Sequence, residues 1–220
     1  SEAIQTIKKD TKIDAPTMVN TQIINSQSAV SYPVRGTAEP ASRVQIVFFD
    51  GVNAPITTEV LANEKGEFSA FVNLTKLRDG PISITTKAMD SFGNESGMTK
   101  LTVKKDTTID TPVFQDLQNI RGENVNSYIF AGTAEPNSII TIRATDGVNP
   151  AVQAKVTTGA NGDFQTAVDL SGLNDGAISI TATATDEAQN SSQQQQVTVI
   201  KDTFVGEPVL DTKVSFITVT

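Results

Sequence analysis

The sequence predicts an all-β chain made of two tandem seven-stranded β-sandwiches. Three observations support this prediction: a 96-residue internal repeat, apolar residues that alternate with a period of two, and turn-forming residues at short intervals. The chain has 220 residues, enough for two domains of about 100 residues each. Only 5% of its residues are aromatic, so we expect thin cores of Val, Ile, Leu and Ala.

The repeat is visible in several short motifs that recur without any gap. KKDTKIDAP begins at Lys8, and KKDTTIDTP begins 96 residues later at Lys104. The same shift relates the two copies of GTAEP at Gly36 and Gly132, of DGVN at Asp50 and Asp146, of DG at Asp79 and Asp175, and of ISIT at Ile82 and Ile178. A chain that repeats in this way predicts copies of one structural unit.

The repeat also sets the predicted domain boundaries. Residues 10–105 and 106–201 form two complete repeats, and residues 1–9 are expected to be the closing strand of a preceding repeat. A third start appears at Asp202, 96 residues after Asp106. Residues 202–220 are therefore either the start of a further repeat or a shortened terminus.

Within the second repeat, runs rich in Val, Ile and Thr are bounded by Gly, Pro, Asn and Asp. Predicted strands cover residues 113–120, 128–134, 139–145, 152–157, 163–168, 178–185 and 195–199. No segment keeps a helical period over three turns. Seven short strands per repeat are typical of an immunoglobulin-like sandwich. Leucines in the long loop before the sixth strand should close the base of each core: Leu74, Leu77, Leu170 and Leu173.

Charge and composition exclude several classes of function. The net charge of -8 disfavours nucleic acid and anionic membranes as partners and favours cations. Cys and His are both absent, which removes disulfides, thiolate ligands and the commonest general base. No apolar run is long enough to cross a bilayer, so we expect no direct membrane insertion, and any export signal should lie outside these residues.

Four motifs resemble the bacterial immunoglobulin-like repeats of very large adhesins and biofilm-associated proteins. They are GTAEP, the DG before the sixth strand, the ISITATATDEAQNSS stretch and the KDTTIDTP linker. The resemblance implies an extender region between a cell-anchoring end and a ligand-binding end, located at the extracellular surface of a bacterium. It also implies linkers rigidified by calcium. The expected partners are calcium ions and neighbouring repeats of the same chain, which we expect to be monomeric.

Acidic residues are predicted to gather at one rim of each sandwich, where the linker meets the turns after the second and sixth strands. The predicted metal ligands are Asp106, Asp110, Glu135 and Asp186 in the second repeat and Asp10, Asp14, Glu39 and Asp90 in the first. Calcium takes six to eight oxygen ligands, and converging carboxylates repel one another without a cation. The alternative is that these residues only form turns and caps.

Two departures limit this metal hypothesis. At the third start Asp202 is kept, but Gly206 stands where the second linker Asp would be. The last hairpin of the first repeat reads DSFGN, a usual pattern of the resembled family, whereas the second has Gln189 in place of Gly93. DGVN carries a single carboxylate, so we interpret it as a turn and not as a second calcium loop.

Two other functions compete with an extender. A ligand-binding module for a host protein or carbohydrate would need exposed aromatic residues, for example a solvent-facing cluster of Phe48, Phe49 and Phe92, and the chain has no Trp. An enzyme such as a glycoside hydrolase would need two catalytic carboxylates. Both repeats carry nearly the same acids, and an active site seldom sits in every repeat. We therefore expect no enzymatic activity.

Overall fold

The computed structural model describes residues 9–19 and 22–204. The chain divides into two compact units, one of Ser1–Ile109 with Asp186–Asn190 and one of Asp110–Thr185 with Ser191–Thr220. Most of the predicted closing strand at 1–9 and of the predicted further repeat at 202–220 lies outside the described residues. The repeat boundaries at 10–105 and 106–201 stay predictions.

The first unit contains two antiparallel sheets. Its strands are β1 (Thr17–Met18), β2 (Tyr32–Thr37), β3 (Arg43–Phe49), β4 (Ile56–Leu61), β5 (Glu67–Val72), β6 (Gly80–Met89) and β7 (Thr99–Lys105). One sheet has the order β1-β2-β5 and the other β4-β3-β6-β7. A 3-10 turn at Ser28–Val30 precedes β2. These seven strands in two sheets confirm the predicted immunoglobulin-like fold class.

The second unit has the same plan with one more strand. Its strands are β8 (Val113–Phe114), β9 (Ile120–Arg121), β10 (Tyr128–Thr133), β11 (Ile139–Thr145), β12 (Val152–Thr157), β13 (Asp163–Val168), β14 (Gly176–Thr185) and β15 (Gln195–Asp202). The sheets have the orders β13-β10-β8 and β12-β11-β14-β15-β9. The predicted strand 113–120 is therefore two short strands in different sheets. Among the described residues no helix is long and apolar enough to cross a lipid bilayer.

The core of each unit follows the period-two pattern. Val44, Ile46 and Phe48 of β3 are fully buried, whereas the residues between them are not. Such burial contributes about 25 cal/mol for each Å² of apolar surface removed from water. The predicted loop leucines are buried as well. The backbone N–H groups of two of them donate to the 3-10 turns at Ser28–Val30 and Val125–Ser127. These bonds join Leu74 to Ala29 (2.7 Å) and Leu170 to Val125 (2.8 Å).

Candidate metal centre

Three carboxylates of the first unit come together from three separate segments. Asp10 precedes β1, Glu39 lies in the turn between β2 and β3, and Asp90 begins the turn after β6. One carboxylate oxygen of each lies within 4.8 Å of the other two. Asp90 is only 7% exposed, and Asp10 and Glu39 are half-buried. We call this set the acidic rim.

The turn after β6 holds Asp90 in place and also binds the segment before β1. The Oδ1 atom of Asp90 accepts hydrogen bonds from the backbone N–H groups of Phe92 (2.8 Å) and Asn94 (2.9 Å). The Asn94 amide donates to Asp90 Oδ2 at 2.7 Å and to the carbonyl oxygen of Asp10 at 3.2 Å. Burial acts to raise the pKa of Asp90, but these hydrogen bonds outweigh it and hold that pKa below its ordinary value.

The GTAEP motif positions Glu39. Gly36 lies on β2 opposite Met18 of β1, and an added Cβ would collide with the Thr17 carbonyl oxygen and the Phe68 ring. After β2 ends, the Ser42 hydroxyl (2.6 Å) and backbone N–H (3.1 Å) both donate to the Glu39 carbonyl oxygen. Glycine thus brings β1 close to β2, and the turn presents the Glu39 side chain at the rim.

Two of the corresponding residues 96 positions later, Asp106 and Asp186, lie in one compact unit with Asn190, whereas Glu135 lies in the other. Asn190 donates to Asp186 Oδ2 at 2.7 Å and to the Asp106 carbonyl oxygen at 2.8 Å. Gln189 adopts a φ of 68°, close to the 85° of Gly93. The substitution of Gly by Gln therefore leaves the turn intact, and Asn190 keeps its contacts.

Two predicted ligands, Asp14 and Asp110, are exposed. Asp14 is not one of the three carboxylates of the acidic rim. Asp14 lines the same open surface pocket as Glu39. Gly206 lies outside the described residues. A ligand role for Asp14 or Asp110 remains a prediction.

DGVN is a turn that also ties two loops together. Asp50 Oδ1 accepts from the backbone N–H groups of Val52 (2.9 Å) and Asn53 (2.8 Å). Its Oδ2 accepts from the Asn53 amide and from the backbone N–H of Arg78, each at 2.7 Å. Led by the bond from Arg78, these bonds outweigh burial and hold the pKa of Asp50 well below its ordinary value. The turn interpretation agrees with this geometry, since the chain itself satisfies both oxygens.

An ion pair between a buried lysine and an exposed aspartate at the DG motif was not predicted from the sequence. Lys105, 4% exposed, donates from Nζ to Asp79 Oδ1 at 2.6 Å. The backbone N–H of Thr107 donates to Asp79 Oδ2 at 2.9 Å. In the second unit Lys201 and Thr203 bind Asp175 at 3.0 Å each. The sequence did contain a signal for this ion pair, because the Lys-Asp-Thr and Asp-Gly motifs recur together with the same spacing.

Phe48, Phe49 and Phe92 do not form the solvent-facing cluster that a ligand-binding module would favour. Phe48 is fully buried in the core, whereas Phe49 and Phe92 are partly exposed. Another residue is more exposed than either: Phe71 of β5 is 69% exposed. It lines an open groove with Val19 and Pro33.

The fold defines an immunoglobulin-like β-sandwich protein with an acidic rim. Residues 123–201 match the family model described as bacterial Ig domain. This match confirms the resemblance predicted from the motifs. No protein with a curated description matches the chain in sequence.

Several solved structures are similar to this chain. One is a tetra-tandem repeat in the extending region of a large adhesion protein, with 23% identity, 87% of this chain and 50% of that chain covered, and a TM-score of 0.41. A structure concerning a 1.5-MDa bacterial ice-binding adhesin has 17% identity over 88% of this chain and 67% of that one, with a TM-score of 0.46. The chicken CNTN1 FN1-FN3 domains have 13% identity over 90% and 68%, with a TM-score of 0.48.

Proposed function

We propose that this chain is part of the extender, or stalk, of a bacterial cell-surface adhesin, in which calcium rigidifies the linkers between immunoglobulin-like repeats. The observation that carries the proposal is the recurrence of one linker contact. Asn94 donates to the Asp10 carbonyl oxygen beside the group of three carboxylates, and Asn190 donates in the same way to the Asp106 carbonyl oxygen. The proposal accounts for the repetition, because a spacer is built from equivalent units. It also implies an extracellular location for the chain.

The chemistry of the acidic rim favours a hard cation. Asp and Glu offer carboxylate oxygens as metal ligands. The chain has neither Cys nor His, the ligands that would attract a softer metal. Three carboxylates would leave several of the six to eight calcium positions for backbone carbonyl oxygens and water. A divalent ion would offset the repulsion between Asp10, Glu39 and Asp90, whose oxygens lie within 4.8 Å of one another.

Binding of calcium would restrict the linker directly. A short linker without bound groups samples many conformations. A cation held by Asp10 as well as by Glu39 and Asp90 would fasten the residues before β1 to the sandwich that they precede. This is the property that a stalk needs, because a stalk of freely hinged units cannot hold its end at a fixed distance.

Thermal unfolding in calcium and in a chelator tests the proposal. Calcium at 100 times its dissociation constant should stabilise the native state by about 2.7 kcal/mol. Glu39→Gln removes one charge of the rim, and the turn contacts described for Glu39 use its backbone. This variant should therefore lose much of the calcium-dependent rise in melting temperature. Glu64→Gln, which removes an exposed charge outside the rim, should keep it.

Two outcomes would count against the proposal. An identical melting temperature in calcium and in chelator would show that calcium does not bind as the proposal requires. Small-angle scattering tests the stiffening separately, because an unchanged maximum dimension in the two conditions would mean that calcium does not straighten the chain.

One observation favours the alternative of a module that binds a host protein or carbohydrate. The groove that Phe71 lines with Val19 and Pro33 also contains the polar side chains of Arg35 and Glu67. Exposed aromatic rings beside polar groups suit a sugar or a peptide. Glycan-array binding that disappears in Phe71→Ala would favour this alternative over the stalk.

A further inference from the structure

The loop between β5 and β6 carries an acceptor motif that the stalk does not use. Asn73-Leu74-Thr75 is an Asn-x-Thr tripeptide, the pattern on which asparagine is glycosylated. The chain also contains two Asn-x-Ser tripeptides, which begin at Asn94 and Asn190 and fit the same acceptor pattern. The structure separates the first tripeptide clearly from the other two.

Asn73 is exposed, and its side chain is held in a turn. Its Oδ1 atom accepts hydrogen bonds from the Thr75 hydroxyl at 2.6 Å and from the Thr75 backbone N–H at 3.0 Å. Both bonds use the amide oxygen. Among the described residues the Nδ2 atom of Asn73 has no hydrogen-bond partner, so the nitrogen that accepts a glycan is available to solvent.

The other two asparagines present the opposite arrangement. Asn190 is 3% exposed, and its Nδ2 donates to Asp186 and to the Asp106 carbonyl oxygen. Asn94 uses its Nδ2 in the same way, toward Asp90 and Asp10. A glycan on either nitrogen would have to displace these bonds at the rim.

We propose that Asn73 is an N-glycosylation site. The donor class is a glycosyl diphosphate, either a sugar nucleotide or a polyprenyl-diphosphate oligosaccharide. In the transfer, Asn73 Nδ2 forms a bond to the anomeric carbon, the bond from that carbon to the diphosphate oxygen breaks, and the Nδ2 proton passes to a base of the transferase. The diphosphate leaves with the bonding electron pair. This inference goes beyond the stalk and does not depend on calcium.

The second repeat supplies matched variants. At the position equivalent to Asn73 it has Asp169, whose carboxylate accepts the Ser171 backbone N–H at 2.8 Å. A carboxylate therefore supports the same turn, so Asn73→Asp should fold while removing the acceptor nitrogen. Conversely, Asp169→Asn should create a second acceptor in Asn-Leu-Ser.

The experiment uses the folded full chain in two arms. One arm contains a soluble N-glycosyltransferase with UDP-glucose, and the other a membrane oligosaccharyltransferase with a polyprenyl-diphosphate oligosaccharide. Intact mass and peptide mapping should show one glycan on Asn73 in at least one arm, and the arm that reacts identifies the donor. We expect none in Asn73→Asp and two in Asp169→Asn.

Unmodified Asn73 in both arms would overturn the proposal. A glycan on Asn94 or Asn190 of the folded chain would also overturn it, because the reaction would then not follow the availability of the amide nitrogen. Circular dichroism of each variant checks that the sandwich is retained, and calcium-dependent melting of the same samples tests the stalk proposal independently.

Discussion

At the residue scale, aspartate side chains occur in two distinct environments in this chain. Asp50 is bound by four donors of its own loops, whereas Asp90 shares its environment with the carboxylates of Asp10 and Glu39. The four hydrogen bonds stabilise the Asp50 carboxylate without a bound cation, because every donor points at it. The second environment leaves like charges close together. The local sequence around an aspartate does not distinguish the two, because the decisive neighbours come from other loops.

The donors around Asp50 give stability a predictable dependence on pH. The pKa of Asp50 in the folded chain lies well below the ordinary value of 3.8. Its contribution is therefore complete above that ordinary value and is lost as pH falls toward the folded pKa. Asp50→Asn should lower the urea midpoint at neutral pH and flatten its acid dependence.

Urea unfolding from about pH 7 to about pH 2 measures this difference. Asp146→Asn should behave alike in the second unit, because Asp146 has the same set of donors with Asn174 in place of Arg78. Parallel curves for Asp50→Asn and the unchanged chain would contradict the argument.

At the element scale, the contact between β1 and β2 depends on the absence of a side chain at Gly36. Gly36→Ala should push β1 away from β2 or displace the Phe68 ring, and overpacking of this kind costs about 1 to 3 kcal/mol. The free energy of unfolding measures the cost. Gly97→Ala is the control, because its new Cβ would meet only Ala15 Cβ at 3.8 Å. Equal losses in the two variants would show that the contact is not the cause.

The strands show what the sequence can and cannot predict. Predicted strands at 139–145, 152–157 and 163–168 agree with β11, β12 and β13, because alternation and flanking turns are local signals. The predicted strand at 113–120 was wrong in one respect, since β8 pairs with β10 and β9 pairs with β15. Alternating residues reveal which face is buried but not which neighbour a strand joins.

The acidic rim was predicted in part for a similar reason. The strand topology brings the ends of several segments to one rim of the sandwich. Asp10, Glu39 and Asp90 could therefore be expected to lie close together. The topology does not fix the direction of a side chain in an irregular segment, and Asp14 is exposed outside the group. The pair of Asp79 with Lys105 was missed because its members are 26 positions apart and lie on different elements.

At the scale of the whole molecule, the net charge of -8 determines which large partners are repelled. We expect the chain to pass unretained through a heparin column at low salt and to bind an anion exchanger. Calcium should weaken binding to the exchanger by offsetting part of the charge. Retention on heparin without calcium would show a local basic surface that the net charge conceals.

One pairing has a mechanical consequence. Ile24 bridges Lys105 in parallel, with hydrogen bonds from Ile24 to Lys104 and from Asp106 to Ile24, and in the second unit β9 runs parallel to β15. Tension applied through the two ends of a unit would pull these segments past each other, so the bonds would carry the load in shear and break together. An antiparallel hairpin opened from its end loses them one at a time. Each sandwich would thus resist being unravelled by flow or traction at the point where its chain enters and leaves.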